Sequence, residues 1–531
     1  MSADFDTPHW DTDVLVIGGG LAGTWAAIAA AREGARVILA DKGYCGTSGV
    51  TATAGPGHWW VPPEHREAAV ADRLKRSLGL GDPDWMARIL DLTWTSLPQL
   101  ARHYAFSSDE LGRVQYRGLR GPEYMRAMRA LALEAGATIL DHHPALELLT
   151  DADGVVTGAA GVALRGERPW TIRAGAVVLA TGGCAFASRL LGAATNTGDG
   201  LLMGAEAGAD LSGMEFTNYY TPMQAGTNMA RSMSFAFARW FDEADDELDI
   251  PAGPDVSPHL ARALLKGRLY CRLDRIPPDI REVMPQVQPN FVRPFARMGV
   301  DAYAERFEVT LVSEGTVRGI GGLRVTDRLC QTAAPGLFAA GDAASRELVT
   351  GAISGGGAVN SSWALSSGQW AGQGAARFSR SRVAKAGERL RHIGQAGLRP
   401  TSRSAGVDLP AAVQVVRHEM GAYDRNIFRT GASLEASGER LDDAWREIAA
   451  HAGGWGRGLL RAREAAALVA AARWSKASAL QRRESRGMHR REDASGLDPR
   501  LASRQRSHGL DRVVTRFEAV SPESTRLEAV A

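Results

Sequence analysis

Short apolar runs, each closed by glycine, recur along this chain. Asp13–Ile17 reads as a buried strand. Gly18-Gly19-Gly20-Leu21-Ala22-Gly23 follows it, and the alanine-rich Thr24–Arg32 has a helical pattern. Gly34 ends that helix and Ala35–Ala40 is a second strand, which makes a strand–turn–helix–strand unit of about thirty residues, the size of a dinucleotide-binding half. Ala176–Ala180 is another apolar strand, closed by Thr181-Gly182-Gly183, and Gly336–Ala340 is one more, closed by Gly341-Asp342. Between them, roughly 224–316 is rich in aromatics, prolines and charge and reads as an inserted domain. After about Arg380, Arg, Ala, Glu and Leu dominate with helical spacing, as in Leu459–Arg473, so Ala411–Ala477 is expected to be a helical bundle. About the last forty residues carry many charges and are expected to form an extended or loosely packed tail. No internal repeat is found.

Composition narrows the function classes. The chain has 531 residues, 45% hydrophobic and 23% charged, which is ordinary for a soluble globular protein of several domains. A formal net charge of +2 is too small to imply a nucleic-acid or anionic-membrane partner. The four cysteines, Cys45, Cys184, Cys271 and Cys330, are far apart and form no CxxC pair, so no iron–sulfur or zinc site is expected, and their sparseness fits a reducing cytoplasm. Ser2–Asp13 is acidic and polar, unlike a signal peptide, and the apolar Thr24–Ala31 is too short to span a bilayer. Asp141-His142-His143 is not read as a metal site, because adjacent strand residues point to opposite faces.

Three motifs carry chemistry. In Gly18-x-Gly20-x-x-Gly23 the first glycine permits a tight turn, the second lets backbone approach a pyrophosphate, and the third lets helix and strand pack closely, while the helix N-terminus offers N–H groups and partial positive charge. The motif follows a strand and opens a helix, the context it requires. Asp41, about twenty residues on, ends the second strand where a carboxylate would accept the ribose hydroxyls of an adenosine. Leu337–Asp342 is the second motif; its acidic residue after strand and glycine suits the ribityl or phosphate region of a flavin, and the pair of motifs favours FAD over NAD. The third, Ser48–Gly57, is a run of small residues that would let backbone lie against a flat ring.

These residues resemble the succinate dehydrogenase/fumarate reductase flavoproteins, with L-aspartate oxidase and the alpha chains of adenylylsulfate reductase as relatives. The resemblance runs in order through Val14–Gly23, Asp41, Val177–Gly183, Thr197-Gly198-Asp199-Gly200, Met214-Glu215-Phe216, Gly321-Gly322-Leu323, Pro335–Asp342 and Arg483–Asp493. It implies an α/β fold: a Rossmann-like FAD-binding domain in two segments, 1–223 and 316–385, an inserted α+β capping domain at 224–315, and a C-terminal helical domain and tail at 400–531. It further implies hydride transfer between flavin N5 and a substrate held under the cap. Cofactor contacts are expected at Gly18, Gly20, Leu21, Ala22, Gly23, Asp41, Lys42, Thr47, Ser48, Gly49, Thr53, Ala54, Gly55, Ala180, Thr181, Gly182, Asn196, Asp199, Gly341, Asp342, Asn360, Ser361 and Ser362.

The departures bear on substrate. Gly49 stands where membrane-complex members carry the histidine that bonds FAD, so non-covalent FAD is expected. Where dicarboxylate-handling members have two histidines and an arginine, counting places Tyr220, Val317 and Ser354. A dicarboxylate needs several fixed cations and donors to offset desolvation of two charges. Succinate, fumarate and aspartate are therefore not expected as substrates. Tyr219, Tyr220, Arg318 and His58 are the catalytic candidates, and Arg346-Glu347 is a further polar pair after the second motif. The expected activity is FAD-dependent oxidation or reduction of a small organic molecule, with the electron acceptor open. Two alternatives stand beside it: a fumarate-reductase-like or adenylylsulfate-reductase-like catalytic chain that needs a separate iron–sulfur electron-transfer partner, and a flavin-holding chain without catalysis.

Overall fold

Val14–Ile17 and Ala176–Leu179 are apolar at every position, a pattern suited to strands covered on both faces. In the computed structural model, which describes residues 8–228, 232–251, 253, 256–382, 389–402 and 406–518, both runs are buried at the centre of one sheet. Strand His9–Ile17 lies parallel to Val37–Ala40 on one side and to Arg168–Leu179 on the other. Thr138–Leu140 extends the sheet past Val37–Ala40. Leu337–Ala339, from far along the chain, pairs in parallel with Val177–Leu179. The other edge continues antiparallel through Val156–Ala163, Ala145–Thr150 and Arg391–His392.

Register decides where the glycine turns meet. Leu179 is paired with both Ile17 and Ala339. The chain therefore leaves three neighbouring parallel strands at one level, and Gly18, Thr181 and Gly341 share a rim at the strands' carboxyl ends. That rim is where open α/β sheets bind ligands. The first strand begins at His9 rather than Asp13, because its polar N-terminal half still pairs with Thr171–Ala174. The helix begins at Leu21, three residues before the apolar pattern suggested, since the turn glycines run straight into it. This helix packs along the long helix Gly356–Ser381. A Cβ on Gly368 would lie 2.4 Å from Ala22 O, and one on Gly372 2.2 Å from Ala26 O. Small residues one turn apart thus let two backbones approach.

The inserted region has its own core. Strands Glu247–Leu248, Arg239–Phe241, Leu269–Arg272, Phe307–Glu314 and Tyr219–Gln224 form a five-stranded antiparallel sheet in that order. Trp240, Phe291, Phe295 and Phe307 pack on it. The cap sheet therefore starts at Tyr219, five residues before the 224–315 boundary read from composition, because Tyr219–Gln224 is the strand that pairs with the returning Phe307–Glu314. Residue 385, the end expected for the second FAD-binding segment, lies outside the described residues.

Helices Leu409–Gly421, Gly431–His451 and Gly456–Gln481 form the C-terminal bundle that the helical spacing suggested. Gly456–Gln481 is buried nearly all round, from Ala462 to Ala479, and its buried cations Arg463, Arg473 and Lys476 are each hydrogen-bonded. The expectation of a loose tail is corrected. Gln505–His508 and Val514–Phe517 form a hairpin whose first strand pairs with Leu211–Ser212, and Leu211–Ser212 pairs with Gly322–Leu323. Alternate residues Gln505 and Ser507 are buried while their neighbours carry the charge, a two-residue period that charge density hides. Residues 519–531 of that expected tail, and 1–7 of the acidic N-terminal stretch, lie outside the described residues.

Candidate cofactor cleft

Along the rim runs a cleft of about 1410 Å³, part of it open to solvent. One wall is the turn between the first strand and its helix. Gly18 has φ +107°, and a Cβ on Gly23 would lie 1.7 Å from Gly18 O, so the turn requires glycine at both places. Gly20, by contrast, faces open space: a Cβ there would meet nothing within 4 Å. The opposing wall is the second glycine turn. A Cβ on Gly341 would lie 2.7 Å from Ala22 Cβ, which measures how closely the two motifs converge.

The polar groups are arranged in three clusters. Asp41 accepts hydrogen bonds from Gly19 N (2.5 Å), Gly43 N (2.7 Å) and Ser48 Oγ (2.6 Å), so its carboxylate ties the glycine turn to the 43–48 loop. Lys42 Nζ meets Asp199 Oδ2 at 2.5 Å, Glu464 Oε1 at 2.8 Å and Thr197 Oγ1 at 3.0 Å. Burial disfavours this ammonium, but the two carboxylates outweigh it and hold its pKa above the ordinary lysine value. At the other end Arg318 lies 3.3 Å from Tyr219 Oη and 3.8 Å from Glu314 Oε2. Asn360 also lines the cleft, and both of its amide atoms are buried without a partner among the described residues. A buried amide left unpaired by protein calls for a ligand or water. An extended dinucleotide fits this arrangement: a helix N-terminus and Gly20 for the pyrophosphate, Asp41 near the adenosine, and Asn360 at the flavin end.

Comparison with known proteins agrees with this cleft. The profile described as an FAD binding domain matches residues 13–231, and that described as fumarate reductase flavoprotein C-term matches 418–513. The chain is a flavoprotein of the succinate dehydrogenase/fumarate reductase family. Its cofactor is FAD and it is an oxidoreductase. The flavoprotein is 25% identical to a chain of the fumarate reductase (CoM/CoB) of Methanothermobacter marburgensis, over 91% of this chain and 94% of the relative. It is 29% identical to L-aspartate oxidase of Mycobacterium bovis, over 91% and 93%. An E. coli quinol fumarate reductase mutant superposes with a TM-score of 0.79 at 21% identity, covering 97% of this chain and 98% of that one; this likeness concerns the fold.

Of the expected cofactor contacts in this flavoprotein, most line the cleft: Gly18, Gly20, Leu21, Ala22, Asp41, Lys42, Ser48, Gly49, Ala54, Gly55, Ala180, Thr181, Gly182, Asn196, Asp199, Gly341, Asp342, Asn360 and Ser361. Four are placed otherwise. Gly23 supports the turn from behind. Thr47 bonds back to Tyr44 O. Thr53 faces a neighbouring cavity between the 120–123 segment and the cap. Ser362 Oγ accepts from Trp59 N at 2.9 Å.

The catalytic candidates divide as sharply. Arg318 lines the cleft, with Tyr219 directly behind it. Tyr220 points the other way, as alternation along a strand requires. Its hydroxyl lies 3.0 Å from Met420 O and 3.1 Å from Gly421 O, in the core shared by cap and helical domain. His58 is buried behind the cleft wall, 3.4 Å from Tyr124 Oη, and burial depresses its pKa to about 3, so the imidazole is neutral. Asp141, beside the two histidines, is taken by Arg129 at 2.8 Å. Sequence reasoning missed Glu464, which neutralises Lys42 from 422 residues away, and Gln288, which the cap contributes to the cleft. No local pattern marks either one. Among the described residues no helix is long and apolar enough to cross a membrane.

Proposed function

We propose that this flavoprotein oxidises or reduces a small organic molecule bearing at most one anionic group, and that succinate, fumarate and aspartate are poor substrates. The observation that carries the reading is the cation count. Among the described residues lining the cleft, Lys42 and Arg318 are the positively charged side chains, and Lys42 is neutralised by Asp199 and Glu464. Arg318, which Glu314 Oε2 approaches only to 3.8 Å, is the cation left to face a substrate, and a single guanidinium can hold one carboxylate but not offset desolvation of two. Arg318 orients the substrate's polar end, and Tyr219 Oη, 3.3 Å behind Arg318 Nη1, accepts its hydrogen bond and holds the guanidinium in place. Bound FAD supplies N5 as the hydride donor or acceptor. Gly49, with φ +79° and no side chain to bond the ring, makes the binding non-covalent.

A panel of monocarboxylates, ketones and alcohols against succinate, fumarate and L-aspartate tests this directly. Ordinary turnover of any of the three dicarboxylates sinks it. On the substrate found, Arg318→Met is expected to lower kcat/KM about 10–100-fold, the worth of a charge-assisted hydrogen bond. A second reading rests on a different observation. The fumarate reductase (CoM/CoB) relative is matched over 94% of its length, and Cys45, Cys184, Cys271 and Cys330 are all buried and unpaired. Under it, electrons leave through a separate iron–sulfur protein. Photoreduced protein would then react slowly with oxygen and fast with electron carriers.

A further inference from the structure

Arg346 follows the second glycine motif directly and, with no exposed surface, is among the largest fully buried side chains. Its neighbour Glu347 turns away to Ser212. The Arg346 guanidinium instead reaches two structures at once. Nη1 donates to Asp342 Oδ1 at 2.5 Å, and Asp342 lines the cofactor cleft. Nε donates to Gly319 O at 2.9 Å, and Nη2 to Val317 O at 3.0 Å and to Thr316 O. Those three carbonyls belong to the short turn Gly315–Arg318 and the residue after it, where the cap strand Phe307–Glu314 re-enters the FAD-binding body. The same turn presents Arg318 to the cleft.

A buried cation remains only where its partners repay desolvation. Here they are one carboxylate on the cofactor wall and three carbonyls on the turn. A planar fork with several fixed donors can hold four acceptors in one geometry, which an ammonium cannot. We infer that Arg346 is a positioning residue that locks the turn bearing Arg318 to the Asp342 wall, so that Arg318 stands at the flavin ring only while this link is intact. The inference rests on the reading of Arg318 as the cation that faces substrate. It assigns Arg346 no contact with substrate.

The test needs no substrate. Sulfite adds to bound oxidised flavin and bleaches its visible absorption, so its dissociation constant reports positive charge at the ring. FAD-saturated wild type, Arg318→Met, Arg346→Met and the double variant are titrated with sulfite, and FAD affinity is measured separately by fluorescence. Arg318→Met is expected to weaken sulfite binding about tenfold. Arg346→Met should weaken it to a similar degree, and the double variant should be no worse than Arg346→Met alone. Arg346→Lys keeps the charge, folds more readily, and should show an intermediate loss, because it cannot span both partners. If Arg318→Met matters but Arg346→Met and Arg346→Lys leave sulfite affinity unchanged while altering FAD affinity or stability, Arg346 is structural only and the inference falls. Effects that add independently in the double variant overturn it as well. If Arg318→Met has no effect, the reading of Arg318 and this inference fail together.

Discussion

The cofactor rim and the C-terminal junction are built on opposite principles. At the rim, three apolar strands end level and glycines let backbones approach; Val14–Ile17, Ala176–Leu179 and Leu337–Ala339 are fully buried and carry no charge. At the junction, buried charges do the joining. Arg482 Nε meets Glu215 Oε1 at 2.8 Å, Arg482 Nη1 meets Glu484 at 2.9 Å, and Arg486 meets Glu484 at 2.7 Å, all with almost no exposure. Arg429 Nη1 donates to His489 Nδ1 at 2.8 Å. Burial first, and the Arg429 charge second, push the His489 pKa well down, so this imidazole is a neutral acceptor. The rim owes its shape to what is absent, Cβ atoms above all. The junction owes its specificity to a set of charges, each requiring the others.

That contrast can be broken at its strongest points. Gly23→Val places a side chain on Gly18 O, where even a Cβ would lie 1.7 Å away. The variant is expected to purify without FAD. A yellow protein with one flavin per chain would mean that the turn is not shape-limited. Arg482→Met leaves Glu215 buried without its cation and Glu484 with Arg486 alone, and should cost about 3–5 kcal/mol, read from the midpoint and slope of denaturant unfolding. A loss under about 1 kcal/mol would show that water already screens the junction.

Acidity sharpens the same comparison. Glu347, beside the junction, is pushed up to about 8, by burial first and then by the nearby Glu215 carboxylate. A carboxyl whose folded pKa lies above its unfolded value binds more protons when folded in the window between the two. Its contribution to stability is therefore full below about pH 4.5 and is lost as the pH rises towards about 8. Glu347→Gln should flatten stability across that window, measured as unfolding midpoint against pH; an unchanged slope would deny the raised pKa. The smallest effect is expected at the surface. Arg36 and Asp13 pair at 2.9 Å with side chains 68% and 36% exposed, so Asp13→Asn should shift unfolding by under about 1 kcal/mol. A larger loss would erase the distinction between buried and exposed charge.

Much of the rim was legible because its signals are local. A strand, three spaced glycines and an acidic residue at the end of the next strand fall within about thirty residues. The tyrosine pair was not legible to the same depth. Tyr219 and Tyr220 look equivalent in sequence, yet strand alternation sends one hydroxyl to Arg318 and the other to Met420 and Gly421. Arg346 could be noticed as a polar residue after a motif, but not that it would be wholly buried between Asp342 and the turn bearing Arg318. The hairpin Gln505–Phe517 was hidden because arginines on its outward face outweigh its small buried residues.

By itself, then, the order of residues determined the family, the dinucleotide-binding turn and the order of the domains, since each depends on contacts between near neighbours or on the period of apolar positions. Which charge neutralises Lys42, which tyrosine reaches Arg318 and what holds Arg318 were decided only when distant segments packed. A salt bridge such as Lys42 with Glu464 depends on distance in space, and nothing in the chain between these residues, 422 positions apart, records it.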